Sequence, residues 1–283
     1  MKILFFGHKG WIGQMIVEKW KHLRPEDTLI LSTTRVDNNN FNTLTKEISQ
    51  VDIVVSTLGR TSGGNIPNID YLEDNLYENI RDNLQAPIIL ANICKSLNVH
   101  LTYMGTGCIF SSDTRKDDVT MFTEDDCPNF FGSGYSIVKG FTDNLMKSYD
   151  NVLNLRIRMP IIDSDHPKDF ISKILKFEKI CSYPNSMTHL PTIIPCIIEM
   201  TINKKTGTYN MTNSGSISHK EIIDLYNQHK HSSHICEYIE QDELKHILKS
   251  KRSNNILDQT KLQSLFPDLP DIKTCIINSI TSR

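Results

Sequence analysis

The chain opens with "MKILFFGHKGWIG" (residues 1–13), and this stretch decides the fold. Residues 2–6 are an apolar run of strand length, and Gly7 stops it. Gly10 and Gly13 follow at three-residue spacing, and a helix is predicted from about residue 11 to 23. Strand, glycine turn and helix in that order form the junction at which an open α/β sheet holds a dinucleotide. Amide N–H groups at the helix N-terminus face the pyrophosphate, and glycines let it come close. Gly7, Gly10, Trp11, Ile12 and Gly13 are therefore the candidate cofactor-binding residues. Taken alone, a glycine triplet also reads as a tight turn with close helix packing; its place on the first strand favours the cofactor.

Outward from this turn, strands are expected at 28–33, 52–57, 101–105 and 152–158. They alternate with helical stretches over about 73–97, where Ile80, Leu84, Ile88 and Ala91 recur, and over about 134–147. Such alternation means βαβ units, so the fold class is α/β, a Rossmann-type doubly wound parallel sheet. After "RMP" (158–160) the elements shorten and prolines appear at 167, 184, 191 and 195. Residues 1–160 are assigned to a dinucleotide-binding domain carrying the catalytic residues. Residues 161–283 are assigned to a smaller C-terminal substrate-binding lobe, interwoven with the first domain.

Composition narrows the class. Of 283 residues, 39% are apolar and 23% charged, with a formal net charge of −2. That balance offers no electrostatic basis for binding nucleic acid or a membrane surface. The seven cysteines show neither CxxC nor Cys/His spacing, which points to free thiols in a reducing compartment and to no metal site. The opening apolar run is too short for a signal peptide or a membrane span, so a cytoplasmic location is expected.

Two stretches carry cofactor choice and chemistry. The second strand ends in "LILSTTR" (29–35), which has no acid to hold a ribose 2′-OH but ends in Arg35. A guanidinium suits a 2′-phosphate, favouring NADPH; the competing account is an exposed loop arginine. "STLGRT" (56–61) is expected on the adenosine side. "YSIVK" (135–139) then puts Tyr135 and Lys139 four residues apart, on one helix face. A phenol is a poor acid at neutral pH, and a nearby ammonium makes it usable. With the glycine turn upstream, this pair resembles the short-chain dehydrogenase/reductases. The resemblance implies that Thr106, at the end of the preceding strand, hydrogen-bonds the reacting carbonyl and that Lys139 also holds the nicotinamide ribose.

Among extended members of that family, the triplet at the strand end sorts the chemistry. Sugar-nucleotide 4,6-dehydratases carry Thr-Asp-Glu there, whereas this chain has Thr106-Gly107-Cys108. A cysteine resembles enzymes that epimerise C3 and C5 of a 4-keto-6-deoxy sugar and then reduce it. The likeness extends over most of the chain: "GWIG" (10–13), "TGCIF" (106–110), "EDDCPNFFGSGYSIVK" (124–139), "LRIRMP" (155–160), "FISKI" (170–174), "PNSMT" (184–188), "YNMTNSGSISHKEI" (209–222) and "RSNNILD" (252–258). These segments resemble the plant-type nucleotide-rhamnose synthase/epimerase-reductases, which are related to dTDP-4-dehydrorhamnose reductase.

That resemblance implies a bifunctional 3,5-epimerase/4-reductase that turns UDP-4-dehydro-6-deoxy-D-glucose into UDP-β-L-rhamnose with NADPH, downstream of a separate 4,6-dehydratase. It implies Cys108 and Lys173 as the epimerase pair; Lys176 and Lys179 would look as reactive without the match to "FISKI". Enolisation toward a held C4 carbonyl makes the C3 and C5 protons acidic, and two acid/base groups on opposite ring faces can then invert them. Met159 is expected near the nicotinamide, and Asn185, Ser186 and Met187 against sugar or nucleotide. Arg252 and Asn254 are expected at the diphosphate, with a plain surface arginine as the competing account. A homodimer is also expected. Two alternatives stay open: a monofunctional dTDP/UDP-4-dehydrorhamnose reductase, for which Cys108 and Lys173 have no use, and a non-catalytic NADP-binding regulatory subunit. Cys94, Cys181, Cys196, Cys236 and Cys275 read as packing residues.

Overall fold

The computed structural model describes residues 1–116, 118–244 and 246–283. Six strands form one parallel sheet: β1 (Lys2–Phe6), β2 (Thr28–Leu31), β3 (Ile53–Ser56), β4 (His100–Thr106), β5 (Val152–Ile157) and β6 (Gly207–Asn210), in the order β6-β5-β4-β3-β1-β2. A parallel sheet covered on both faces needs apolar residues on both faces, which is why β1 has no polar alternation. Ile3 and Phe5 point into one core with Ile16 and Trp20 of helix α1 (Trp11–Leu23). Leu4 and Phe6 point into the other, with Leu44 and Ile48 of α2 (Phe41–Ile48) and Leu90 and Ala91 of α3 (Ala86–Ser96).

The chain leaves β1 for β2 on one side and returns to β3 on the other, so β1 and β3 flank the topological switch point where such sheets open a crevice. The two strand ends meet tightly there. Gly7 has φ +85°, and a Cβ on it would lie 2.6 Å from the Thr57 hydroxyl oxygen; one on Gly13 would lie 2.2 Å from the Gly7 carbonyl oxygen. Gly7 and Gly13 are thus demanded by packing as well as by any ligand.

The helix expected over 73–97 is broken into Tyr71–Asp74, Leu76–Ile80, a π turn at Arg81–Gln85, and α3. Pro87 explains the π turn: it has no N–H for the carbonyl of Asn83, which instead accepts from the Thr142 hydroxyl at 2.7 Å. Thr142 belongs to α4 (Gly134–Met146), so the irregular turn is stitched to the helix that carries Tyr135.

The second half has its own core, built from Ile161, Ile171, Ile222 and Ile276, among others. Among its helices are α5 (Phe170–Ile174), α6 (Leu190–Ile202), α7 (His219–Lys230) and α8 (Ile272–Ser282). The division at residue 160 is not a clean cut: α6 packs on α1, and β6 closes the sheet edge beside β5. Ile256–Leu257 also pairs with Met121–Phe122 inside the long loop after β4, where no strand was expected. Among the described residues no helix is long and apolar enough to cross a membrane, and no cluster of His, Cys, Asp and Glu suits a metal ion.

Candidate active site

A cleft of about 1020 Å³ opens beyond the carboxyl ends of the strands, between the sheet and the second-half lobe. Gly10, Trp11, Ile12 and Gly13 line one end, together with Thr57–Thr61 after β3. Helix α1 begins at Gly10 with no side-chain cap and no acid in its first turn. Its first N–H groups therefore have no side-chain acceptor, and the helix dipole favours an anion there. A dinucleotide pyrophosphate fits that terminus. Trp11 stacks on His166 of the lobe, with ring centres 4.9 Å apart, tying the glycine turn to the second half.

Thr106, Cys108, Tyr135 and Lys139 lie together on the cleft wall. Strand β4 ends at Thr106, whose hydroxyl oxygen accepts from the Cys108 amide at 3.1 Å and which faces the same cleft as Tyr135. Ser133 caps α4 by accepting from the Ser136 amide, and Ser136 donates to the Cys108 carbonyl at 2.7 Å. The helix start thereby clamps the strand-end loop and sets the cysteine against the tyrosine. Burial pushes the Tyr135 phenol well above its usual range, Cys108 adds to this, and the Thr106 hydroxyl opposes it. Burial pulls the Lys139 ammonium down to about 8, opposed by Asp143. The phenol this lysine meets is not that of Tyr135: Lys139 donates to the Tyr103 hydroxyl and, at 3.4 Å, to the Met104 carbonyl.

Lys173 of α5 lines the opposite, lobe side of the cleft. Burial lowers its pKa, Lys168 repels it further, and Asp169 acts against both. Lys179 differs, being exposed and paired with Glu237 at 2.9 Å. Met159 reaches the cleft with φ +41°, a left-handed conformation that costs a methionine about 1–2 kcal/mol. Arg252 and Asn254 line the cleft, Arg252 held by Asp70 at 3.2 Å.

Other expected contacts lie elsewhere. Asn185, Ser186 and Met187 are fully buried beneath the cleft and do not line it. Asn185 accepts from Arg158 and from the Asn255 amide; Ser186 accepts from the Leu257 amide at 3.0 Å; Met187 belongs to the lobe core. Their polar groups are consumed in joining the "PNSMT" and "RSNNILD" segments. Arg35 is also outside the cleft lining and more than half exposed. It shares Asp82 with Arg60, at 3.5 Å and 2.5 Å, and Arg60 does line the cleft.

Sequence reading placed Arg60 only as part of "STLGRT" and passed over Tyr103, Arg158 and His219. His219 lines the cleft, and its Nε2 has no partner; burial holds the ring neutral, its pKa pulled down to about 4 despite a bond to the Cys181 backbone. Arg156 and Arg158 share one face of β5 and its extension but part company. Arg156 pairs with Asp143 at 2.6 Å, both buried, while Arg158 reaches Cys108. Nothing in "LRIRMP" distinguishes the two. All seven cysteines are free; Cys94, Cys181, Cys196 and Cys275 are buried, Cys236 is partly buried, and Cys127 is exposed.

Residues 3–161 match the NAD dependent epimerase/dehydratase family. The crystal structure of the L780 UDP-rhamnose synthase from Acanthamoeba polyphaga mimivirus superposes with a TM-score of 0.95 at 47% identity, covering 100% of this chain and 99% of that one. The bifunctional dTDP-4-dehydrorhamnose 3,5-epimerase/dTDP-4-dehydrorhamnose reductase of Arabidopsis thaliana is 36% identical over 98% of this chain and 91% of its own length. A dTDP-4-dehydrorhamnose reductase from Clostridium acetobutylicum shares the fold, with a TM-score of 0.78 at 17% identity and coverage of 99% and 98%. With its glycine turn, its Thr106–Tyr135–Lys139 set and these relatives, the chain belongs to the NAD dependent epimerase/dehydratase family.

Proposed function

We propose that this protein is a bifunctional 3,5-epimerase/4-reductase converting UDP-4-dehydro-6-deoxy-D-glucose to UDP-β-L-rhamnose with NADPH. The observation that carries the reading is that Cys108 and Lys173 face the same cleft as Thr106, Tyr135 and Lys139. A simple reductase needs the latter three alone. The names of the mimivirus and Arabidopsis relatives support the same chemistry.

The residues divide the work in two stages. Thr106 and Tyr135 hold the C4 carbonyl oxygen, so that charge developing there on enolisation is stabilised. Cys108 and Lys173 exchange protons with C3 and C5 across the ring, each inversion removing a proton from one face and restoring one on the other. Bound nicotinamide supplies the hydride that reduces C4. Tyr135 gives the oxygen its proton, and the Lys139 charge stabilises the phenolate left behind. Arg252 and Asn254 hold the diphosphate.

NADPH over NADH rests on Arg35 and Arg60, which with Arg81 make three guanidiniums converging on the Asp82 carboxylate beside the adenosine end. The exposed Leu76, Tyr77, Phe141 and Leu145 lie on neighbouring helices and support a homodimer through that face. Seven free thiols suit the cytoplasm. The substrate is already dehydrated, so a separate 4,6-dehydratase must act first.

The test is turnover of UDP-4-dehydro-6-deoxy-D-glucose with NADPH in deuterated water. Deuterium at both C3 and C5 of UDP-rhamnose is expected. Reduction without exchange would leave a monofunctional reductase, and NADPH binding with no turnover would leave a regulatory subunit.

A further inference from the structure

Arg158 is a buried cation, 1% exposed, with no carboxylate in ion-pair distance among the described residues. Its guanidinium is nonetheless held hard. Nη1 donates to the Ser253 hydroxyl at 3.0 Å and to the Cys108 sulfur at 3.4 Å. Nη2 donates to the Ser253 carbonyl at 2.7 Å and to the Asn185 side-chain oxygen. Nε has no partner. Burying a guanidinium is costly unless a charge offsets it. Every acceptor around Arg158 is neutral and stays so, except one: the sulfur of Cys108 can carry a full negative charge.

We propose that Arg158 is the positioning residue of the epimerase step, aiming the Cys108 sulfur at the sugar ring and balancing the charge it carries when its proton is on the substrate. The proposal rests on Cys108 as an epimerase acid/base. When the Cys108 proton passes to a ring carbon, the electron pair of the S–H bond stays on sulfur, next to the guanidinium. When sulfur takes a proton from C3 or C5, the C–H electron pair moves toward the C4 carbonyl held by Thr106 and Tyr135. No electrons leave the system in either direction. A fork fixed by Ser253 and Asn185 cannot swing away from the sulfur, which a flexible ammonium could do. This gives buried Asn185 a purpose one step removed from the substrate: it orients the arginine that orients the cysteine.

The test compares wild type with Arg158→Gln and Arg158→Lys in two assays. The first needs no substrate: the chain is alkylated with iodoacetamide at neutral pH, and Cys108 is quantified against exposed Cys127 in the same molecule. Losing a charge-assisted hydrogen bond should slow Cys108 labelling in Arg158→Gln roughly tenfold relative to Cys127. An unchanged or faster ratio overturns the proposal. The second follows deuterium entry at C3 and C5 beside hydride transfer to the pre-epimerised 4-keto-L-rhamnosyl nucleotide. Exchange should fall roughly tenfold while reduction stays within about twofold, a split that general structural damage would not give. Equal loss of both, or retained exchange, overturns it. Arg158→Lys keeps the cation and should recover part of both signals. If the glutamine variant does not fold, a lysine variant indistinguishable from wild type overturns the proposal, and an intermediate fall in labelling and exchange supports it. If wild-type protein itself shows no exchange, the epimerase reading fails, whereas the labelling ratio still reports on Arg158.

Discussion

The Nζ of Lys139 donates to the hydroxyl of Tyr103 and lies 4.5 Å from the centre of its ring. Helix α4 thus hands the lysine of the "YSIVK" motif to a buried residue of β4. With the ammonium pulled down to about 8 by burial, its charge is present below that pH and lost above it. The value of kcat/KM for reduction should therefore fall as pH rises through about 8. Tyr103→Phe removes an acceptor that favours the charged form, so the limb should move to lower pH. A pH profile of the variant that superposes on wild type would refute this.

Replacing Cys108 by Ser should abolish deuterium entry at C3 and C5 while leaving NADPH affinity unchanged. Tyr135→Phe should instead slow hydride transfer by about 10²–10⁴-fold, the usual worth of a positioned proton donor. Single-turnover absorbance of the nicotinamide measures the second, and NMR of the product the first. A tyrosine variant near the wild-type rate would remove Tyr135 as the acid.

Arg60 and Arg35 meet at Asp82, whose carboxyl is pushed up by burial but held below its usual range by bonds from Arg81 and Arg60. Arg60→Ala should weaken NADPH binding roughly tenfold, since a guanidinium–phosphate contact is charge-assisted, and leave NADH within about twofold. Fluorescence titration with both dinucleotides checks this. Equal losses would place Arg60 away from the 2′-phosphate.

The Arg156–Asp143 pair is buried at both ends. Asp143→Ala leaves the guanidinium without its partner and should cost about 3–5 kcal/mol of stability. Asn154, which donates to the same carboxylate at 2.8 Å, loses the shorter of its two side-chain acceptors too. Urea unfolding reads the loss; a change below about 1 kcal/mol, typical of an exposed pair, would contradict the burial.

His100 is kept neutral by burial and by the Lys204 charge, its pKa lowered from 6.5 to about 4. Between those values the unfolded chain binds a proton that the folded chain refuses, so stability is lost as pH falls from 6.5 toward 4. The loss approaches about 3 kcal/mol at the acid end. His100→Gln should flatten the dependence of Tm on pH in that window, and an unchanged slope would show that another group sets it.

The sequence by itself determined five of the six strands, the glycine turn and the shared helix face of Tyr135 and Lys139, because these follow from local rules; Thr106 came from the family resemblance. Strand and helix periods are written in adjacent residues, and a tight strand–helix turn admits few side chains besides glycine at Gly7 and Gly13. "YSIVK" could be read because positions four apart on a helix must share a face. The tertiary structure alone decided which polar residues face the cleft. Asn185 and Arg158 are 27 positions apart, Arg158 and Ser253 are 95 apart, and their hydrogen bonds depend on loops whose paths no local period encodes. The same holds for Lys139, whose partner lies 36 residues upstream on β4. Hydrogen bonding is directional and short-ranged, so the partner of a buried polar group is settled only when the chain has folded around it.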